Sequence, residues 1–94
     1  EVFVHRQSEF FDVLSNALRL KILYHLGDDR VHVGAIADAL DRPVDNLSHH
    51  LRIMRYEDVL ESKTEGRRRY YWVKRPELLE LIEAIGEHLR RDDD

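Results

Sequence analysis

The chain has 94 residues, with 15 Lys/Arg against 19 Asp/Glu and no cysteine. That length allows one domain with a modest core, and the missing cysteine excludes a disulfide framework, a thiolate nucleophile and a thiolate metal site. With no apolar run of membrane-spanning length and no basic-then-apolar opening segment, a cytoplasmic protein with no membrane partner is expected.

From about Phe3 to Leu14 the sequence predicts a helix, with Phe3, Phe10, Phe11, Val13 and Leu14 on a wide apolar side. Three phenylalanines in one terminal segment fit either packing beneath the core or burial by a partner. Asn16 is placed to cap a second helix from Ala17 to about Leu26, with Leu18, Ile22, Leu23 and Leu26 inward. Gly27, Asp28 and Asp29 end it. Val31-His32-Val33 alternates like a very short strand, and Gly34 opens a third helix through Leu40.

The stretch from Ile36 to Met54 reads as two short helices joined by a tight turn. Pro43 stands at the start of the second, where its missing N–H is tolerated. Val44, Leu47, Leu51 and Met54 recur on one side with His50 beside them, and Asp45, Ser48, His49, Arg52 and Arg55 lie opposite. Small polar groups near the helix start and arginines further along suit a helix entering a DNA major groove, with base edges first and phosphates after. An ordinary amphipathic helix with a solvated face carries similar residues, so the segment that follows separates the two readings.

Val59 to Glu65 and Arg67 to Lys74 read as two strands around Glu65-Gly66, with Gly66 supplying the positive φ that a short hairpin loop wants. Tyr70-Tyr71-Trp72-Val73 favours a strand by propensity. Arg67-Arg68-Arg69 follows the hairpin tip, with Lys63 across from it, which makes a cationic wing a better reading than a solubilising edge strand. Pro76 then starts a last helix to about Arg91, with Leu78, Leu81, Ile82, Ile85 and Leu89 in one stripe and Glu77, Glu80, Glu83 and Glu87 opposite. Asp92 to Asp94 reads as a frayed tail, since acidic residues at a helix C-terminus oppose its dipole. The apolar stripe lies outside the helix-turn-helix and wing; it is expected to pack on the first helix and on the same elements of a second chain.

Charge is unevenly spread. From Arg42 to Arg75 there are nine Lys/Arg against five Asp/Glu, and the remainder holds six against fourteen. A basic middle with acidic ends can set a positive surface against phosphate despite a net charge of −4.

Helices, helix-turn-helix, arginine-tipped hairpin and terminal helix in this order resemble the ArsR/SmtB family of winged-helix repressors. The resemblance is carried by Leu18-Arg19-Leu20-Lys21-Ile22-Leu23, Ile36-Ala37-Asp38-Ala39-Leu40, Leu47-Ser48-His49-His50-Leu51-Arg52, and Glu65-Gly66-Arg67-Arg68 with Tyr70-Tyr71. It implies a homodimer joined through the first and last helices, bound to an inverted-repeat operator and released by an effector. One family metal site uses Cys-Val-Cys, matched here by His32-Val33-Gly34, which keeps at most one ligand. Another uses Asp-x-His with a later His-x-x-His or His-x-x-Glu; the matching region offers Arg75, Glu77, Glu87 and Arg90, with His88 the one good nitrogen ligand. Glu57-Asp58 stands where the family usually has Ala-Gly, so Asp58 is expected to take a left-handed conformation.

The fold expected is mainly α with a small β-hairpin, a winged helix-turn-helix of order α-α-(β)-α-α-β-β-α spanning 1–94 as one domain. Contacts to double-stranded DNA are assigned to Arg42, Asn46, Ser48, His49, Arg52, Lys63, Arg67, Arg68 and Arg69. A homodimer interface of the helices at about 3–14 and 76–91 is assigned to Phe3, Phe10, Leu78, Leu81, Ile82, Ile85 and Leu89. No metal or cofactor is assigned; among six histidines, His5, His32 and His88 are the candidates for a histidine/carboxylate site. With no nucleophile–base set, glycine-rich phosphate loop or His-Glu-x-x-His, an enzyme is not expected. The function expected is a repressor whose effector is unknown and not a thiolate-bound metal. The alternatives are a winged-helix protein-interaction module and a histidine/carboxylate metal sensor.

Overall fold

The computed structural model describes residues 1–93 as α1 Val2–Leu14, α2 Ala17–Leu26, β1 Val31–His32, α3 Val33–Leu40, α4 Val44–Tyr56, β2 Leu60–Glu65, β3 Arg68–Val73 and α5 Pro76–Asp93. The order is the one expected, mainly α with a small antiparallel sheet. Boundaries move by one residue or so: α3 begins at Val33 rather than Gly34, and both long strands are shorter than read. The tail expected at Asp92–Asp94 is helical through Asp93, while Asp94 lies outside the described residues.

Each helix end has a local cause. Asn16 Oδ1 accepts from the Arg19 N–H at 3.1 Å and so caps α2. His32 Nδ1 accepts from the Ala35 N–H at 3.4 Å and caps α3. A Cβ at Gly34 would stand 3.2 Å from Cε1 of that imidazole, so glycine gives the ring its room. Asp41 ends α3 at φ 53°, and the Arg42 N–H reaches the Ala37 carbonyl at 3.0 Å in a Schellman-type close. The same close ends α4: Asp58 takes φ 63°, as its position between helix and wing led one to expect, and the Val59 N–H reaches the Met54 carbonyl at 2.9 Å. The two turns fix how α4 leaves α3 and how the hairpin leaves α4.

The sheet has the order β1-β3-β2. Val31 pairs with Tyr71 and His32 with Tyr70, so the short strand docks on the wing, a pairing that two residues of alternation did not reveal. Across the hairpin, Glu65 pairs with Arg68, leaving Gly66 and Arg67 as the loop, with Gly66 at φ 62°. Positive φ at the first loop position alone is the II′ pattern that suits twisted strands. Lys63 faces Tyr70 rather than the arginine run, whose partners are Glu65 for Arg68 and Thr64 for Arg69.

Ile22, Leu23 and Leu26 of α2, Ile36 of α3, Leu47, Leu51 and Met54 of α4, and Val59 and Leu60 at the start of the hairpin are buried together. Val44 is not among them. It belongs to the predicted apolar stripe, yet the first turn of α4 runs beyond its cover and leaves Val44 45% exposed. On α5 the stripe splits. Leu78, Leu79 and Ile82 turn to the core, Leu79 being a core residue the stripe omitted, while Leu81, Ile85 and Leu89 stay exposed. On α1, Val13 is buried, Phe10 and Leu14 pack against the core, and Phe3 and Phe11 are exposed.

Candidate nucleic-acid interface

On α4 the buried row Leu47, Leu51, Met54 fixes which side is left for solvent. That side carries Asp45, Asn46, His49, Arg52 and Arg55, all exposed, with Ser48 half-buried at its edge. Pro43 is the N-cap, in extended backbone at φ −61°, ψ 142°, and provides no side-chain acceptor for the first-turn N–H groups. Those donors, with the helix dipole and exposed Arg42 just before them, favour an anion at that end. Asp45 in the same turn partly offsets that field.

His50 lies on the inner flank and belongs to a clip rather than to the outer face. Its Nδ1 accepts from Arg19 Nε at 3.2 Å, and Arg19 Nη1 donates to the Val13 carbonyl at 3.2 Å. One guanidinium thus ties the end of α1, the start of α2 and the middle of α4. Burial, then the positive charge of Arg19, His49 and Arg42, lowers the His50 pKa below 6.5. The neutral ring is the form that can accept from Arg19. Arg19 was not singled out by sequence; its partners are 31 and 6 residues away, beyond any local pattern.

The wing separates its three arginines. Arg67 is exposed in the loop and Arg68 exposed on β3. Arg69 is half-buried and donates to Ser62 Oγ at 2.7 Å and Thr64 Oγ1 at 3.0 Å, with its guanidinium 5.9 Å from the Tyr71 ring centre. Lys63 leans on Glu65 at 3.8 Å. Arg42, Arg52, Arg55, Arg67 and Arg68 have no carboxylate partner among the described residues. The base of the wing is braced otherwise: Trp72 Nε1 donates to Glu61 Oε2 at 3.0 Å, and Arg30 stacks 3.9 Å from the Trp72 ring centre. α4 packs directly on β2, which places the wing beside the helix.

The three candidate metal histidines serve elsewhere. His5 pairs with Glu9 at 2.9 Å on α1, His32 caps α3 and meets Tyr70 edge-on, and His88 lines an apolar cleft between α1 and α5. No group of three or more His, Asp or Glu side chains is disposed to hold a metal among the described residues. Glu87 is engaged by Arg90 at 2.7 Å. The α1–α5 cleft has a volume of about 580 Å³ and is walled by Phe10, Phe11, Leu81, Ile82 and Ile85, so residues assigned to the dimer interface meet there.

Residues 14–62 match the family model of a helix-turn-helix domain. The cadmium resistance transcriptional regulatory protein CadC of Listeria innocua is 38% identical over 77 residues, covering 81% of this chain; the chain spans 65% of that relative's length. A transcriptional repressor SmtB homolog of Synechocystis is 27% identical over 88 residues, covering 94% of this chain and 67% of the relative. A homodimeric winged helix-turn-helix DNA-binding domain of Mycobacterium bovis superposes with a TM-score of 0.86 at 26% identity, covering 96% of this chain and 87% of that one.

Proposed function

Since the chain belongs to the ArsR/SmtB family of winged helix-turn-helix transcriptional regulators, we propose that it is a homodimeric repressor that binds an inverted-repeat operator, reading bases with α4 and holding backbone with the wing. The observation that carries this is the set of exposed, unpaired cations on and around the helix-turn-helix and hairpin, Arg42, Arg52, Arg67 and Arg68, beside the polar row Asn46, Ser48 and His49. In this reading the small polar side chains address base edges and the arginines address phosphates. Exposed Leu81, Ile85, Leu89 and Phe3 support a dimer through α1 and α5, as does the homodimeric relative from M. bovis.

The names of the relatives raise a metal effector, since one is a cadmium resistance regulator. The residues here do not fit one. There is no cysteine, and the terminal-helix positions of the family site hold Arg75 and Arg90, the latter bound to Glu87. Two guanidiniums beside a cation site oppose its filling. A small molecule at the dimer interface, or control by protein abundance alone, accords better with this chain.

The test is titration of the purified protein onto labelled duplex DNA across a range of salt. Affinity that falls steeply with salt, by about 0.9 log units per log unit of salt for each phosphate contact, is expected. Absence of binding, or binding indifferent to salt, would favour a winged-helix protein-interaction module instead.

A further inference from the structure

Val44 is the first residue of α4, and it is 45% exposed. Lone exposed apolar residues are ordinary on protein surfaces, but this one stands at a position with a particular outlook. Ser48, one turn on and about 40° round the helix, and Arg52, two turns on and about 80° round, follow it in a line that winds toward the outer face. The buried row of Leu47, Leu51 and Met54 runs beside that line and leaves Val44 at its edge. When a helix of this type enters the major groove, its N-terminal residues approach the base edges most closely. A branched aliphatic side chain has no hydrogen-bonding group to offer there. The apolar feature of the major groove is the thymine C5-methyl. The N–H groups of this turn and Arg42 can hold a phosphate, while the side chains of Val44 and Asp45 have no use for one; Asp45 can accept from a cytosine amino group, and both side chains suit base edges.

We propose that Val44 is a specificity-determining residue that selects thymine by packing on its methyl group, once in each half-site. This rests on the DNA-reading function above and adds which base feature the first turn recognises. The side chain makes no hydrogen bond and lies outside the core cluster, so truncating it leaves the fold intact.

The probe is a duplex selected by the purified protein from a random-sequence library, in which each thymine is then replaced singly by deoxyuridine. That exchange removes the methyl and keeps the base-pairing face. We expect one thymine per half-site whose replacement weakens wild-type binding about fourfold, the effect of one buried methyl group. Val44→Ala, which loses the contact in both half-sites, should bind the thymine and singly substituted duplexes alike, at roughly the affinity of wild type for a duplex with both thymines replaced, about sixteenfold weaker than the unmodified site. Selected sites without an invariant thymine in the half-site would overturn the inference, as would wild-type indifference to every replacement or a methyl effect undiminished in Val44→Ala. Each of those leaves the repressor reading standing, since a sequence has been selected. Failure to enrich any duplex would overturn that reading and this inference together.

Discussion

Arg69 reaches back along its own hairpin to Ser62 and Thr64, while Arg68, one residue earlier on β3, emerges from the opposite face. Three arginines in a row look like one cationic block in sequence; the period of two in a strand turns Arg69 into a brace and leaves Arg68 exposed. Arg68→Ala should therefore lower the salt slope of DNA binding by about 0.9 for each protomer, about 1.8 for the dimer on two half-sites, with folding unchanged. Arg69→Ala should cost about 1 kcal/mol of stability in denaturant and alter the slope less. Equal slopes for both variants would reject the division. His50 makes a second residue-scale case. Its folded pKa is depressed by burial and by the charges of Arg19, His49 and Arg42, so the unfolded chain takes up the proton first as pH falls below 6.5. Stability from the clip is then full above that value and lost as pH drops toward the folded pKa. Between about pH 7.5 and 5.5 wild type should lose more stability than His50→Gln, whose amide oxygen still accepts from Arg19. Identical losses would show that the clip does not titrate. The outer face of α4 was readable from one strand of sequence because helical period alone assigns it. The clip was not, because it joins residues distant in the chain.

Elements were legible where a residue has a local physical duty. Asn16 accepts the Arg19 N–H, Gly66 takes positive φ in the hairpin loop, and Asp58 takes the left-handed turn between helix and wing. What periodicity could not foresee is where cover ends. The apolar stripe of α4 continues in sequence through Val44, but the first turn is only partly covered, and the stripe of α5 divides between core and solvent. The pairing of β1 with β3 escaped for a related reason: two residues carry too little alternation to specify a partner. Capping gives the sharpest element-scale expectation. Asn16→Ala removes the side-chain acceptor at the start of α2 and should reduce unfolding free energy by about 1 kcal/mol. Asn16→Asp keeps an acceptor and should retain stability. An unchanged denaturation midpoint in the alanine variant would mean that the backbone turn at 14–17 holds the helix without it.

At the scale of the molecule, the basic stretch from 42 to 75 corresponds to the second helix of the helix-turn-helix with the wing, and the acidic remainder to the other helices, α3 among them. The order of elements was enough to read this architecture, whereas the covering of α1 and α5 involves surfaces that one chain leaves open. Leu81 is 62% exposed, Ile85 58% and Phe3 69%, and together with Phe11 and Leu89 they exceed the scattered apolar exposure of an ordinary monomer surface. A second copy presenting the same face would bury them across a twofold axis and set two α4 helices at a fixed spacing for two half-sites. Binding of the second half-site then becomes intramolecular. Replacing both Leu81 and Ile85 by Glu should leave the core intact, because neither side chain belongs to it, and should yield monomers by sedimentation at micromolar concentration. Affinity for a two-half-site duplex should fall about a hundredfold or more, while affinity for a single half-site changes little. Wild type sedimenting as a monomer at that concentration would reject the dimer. A double variant that stays dimeric would move the interface away from α5.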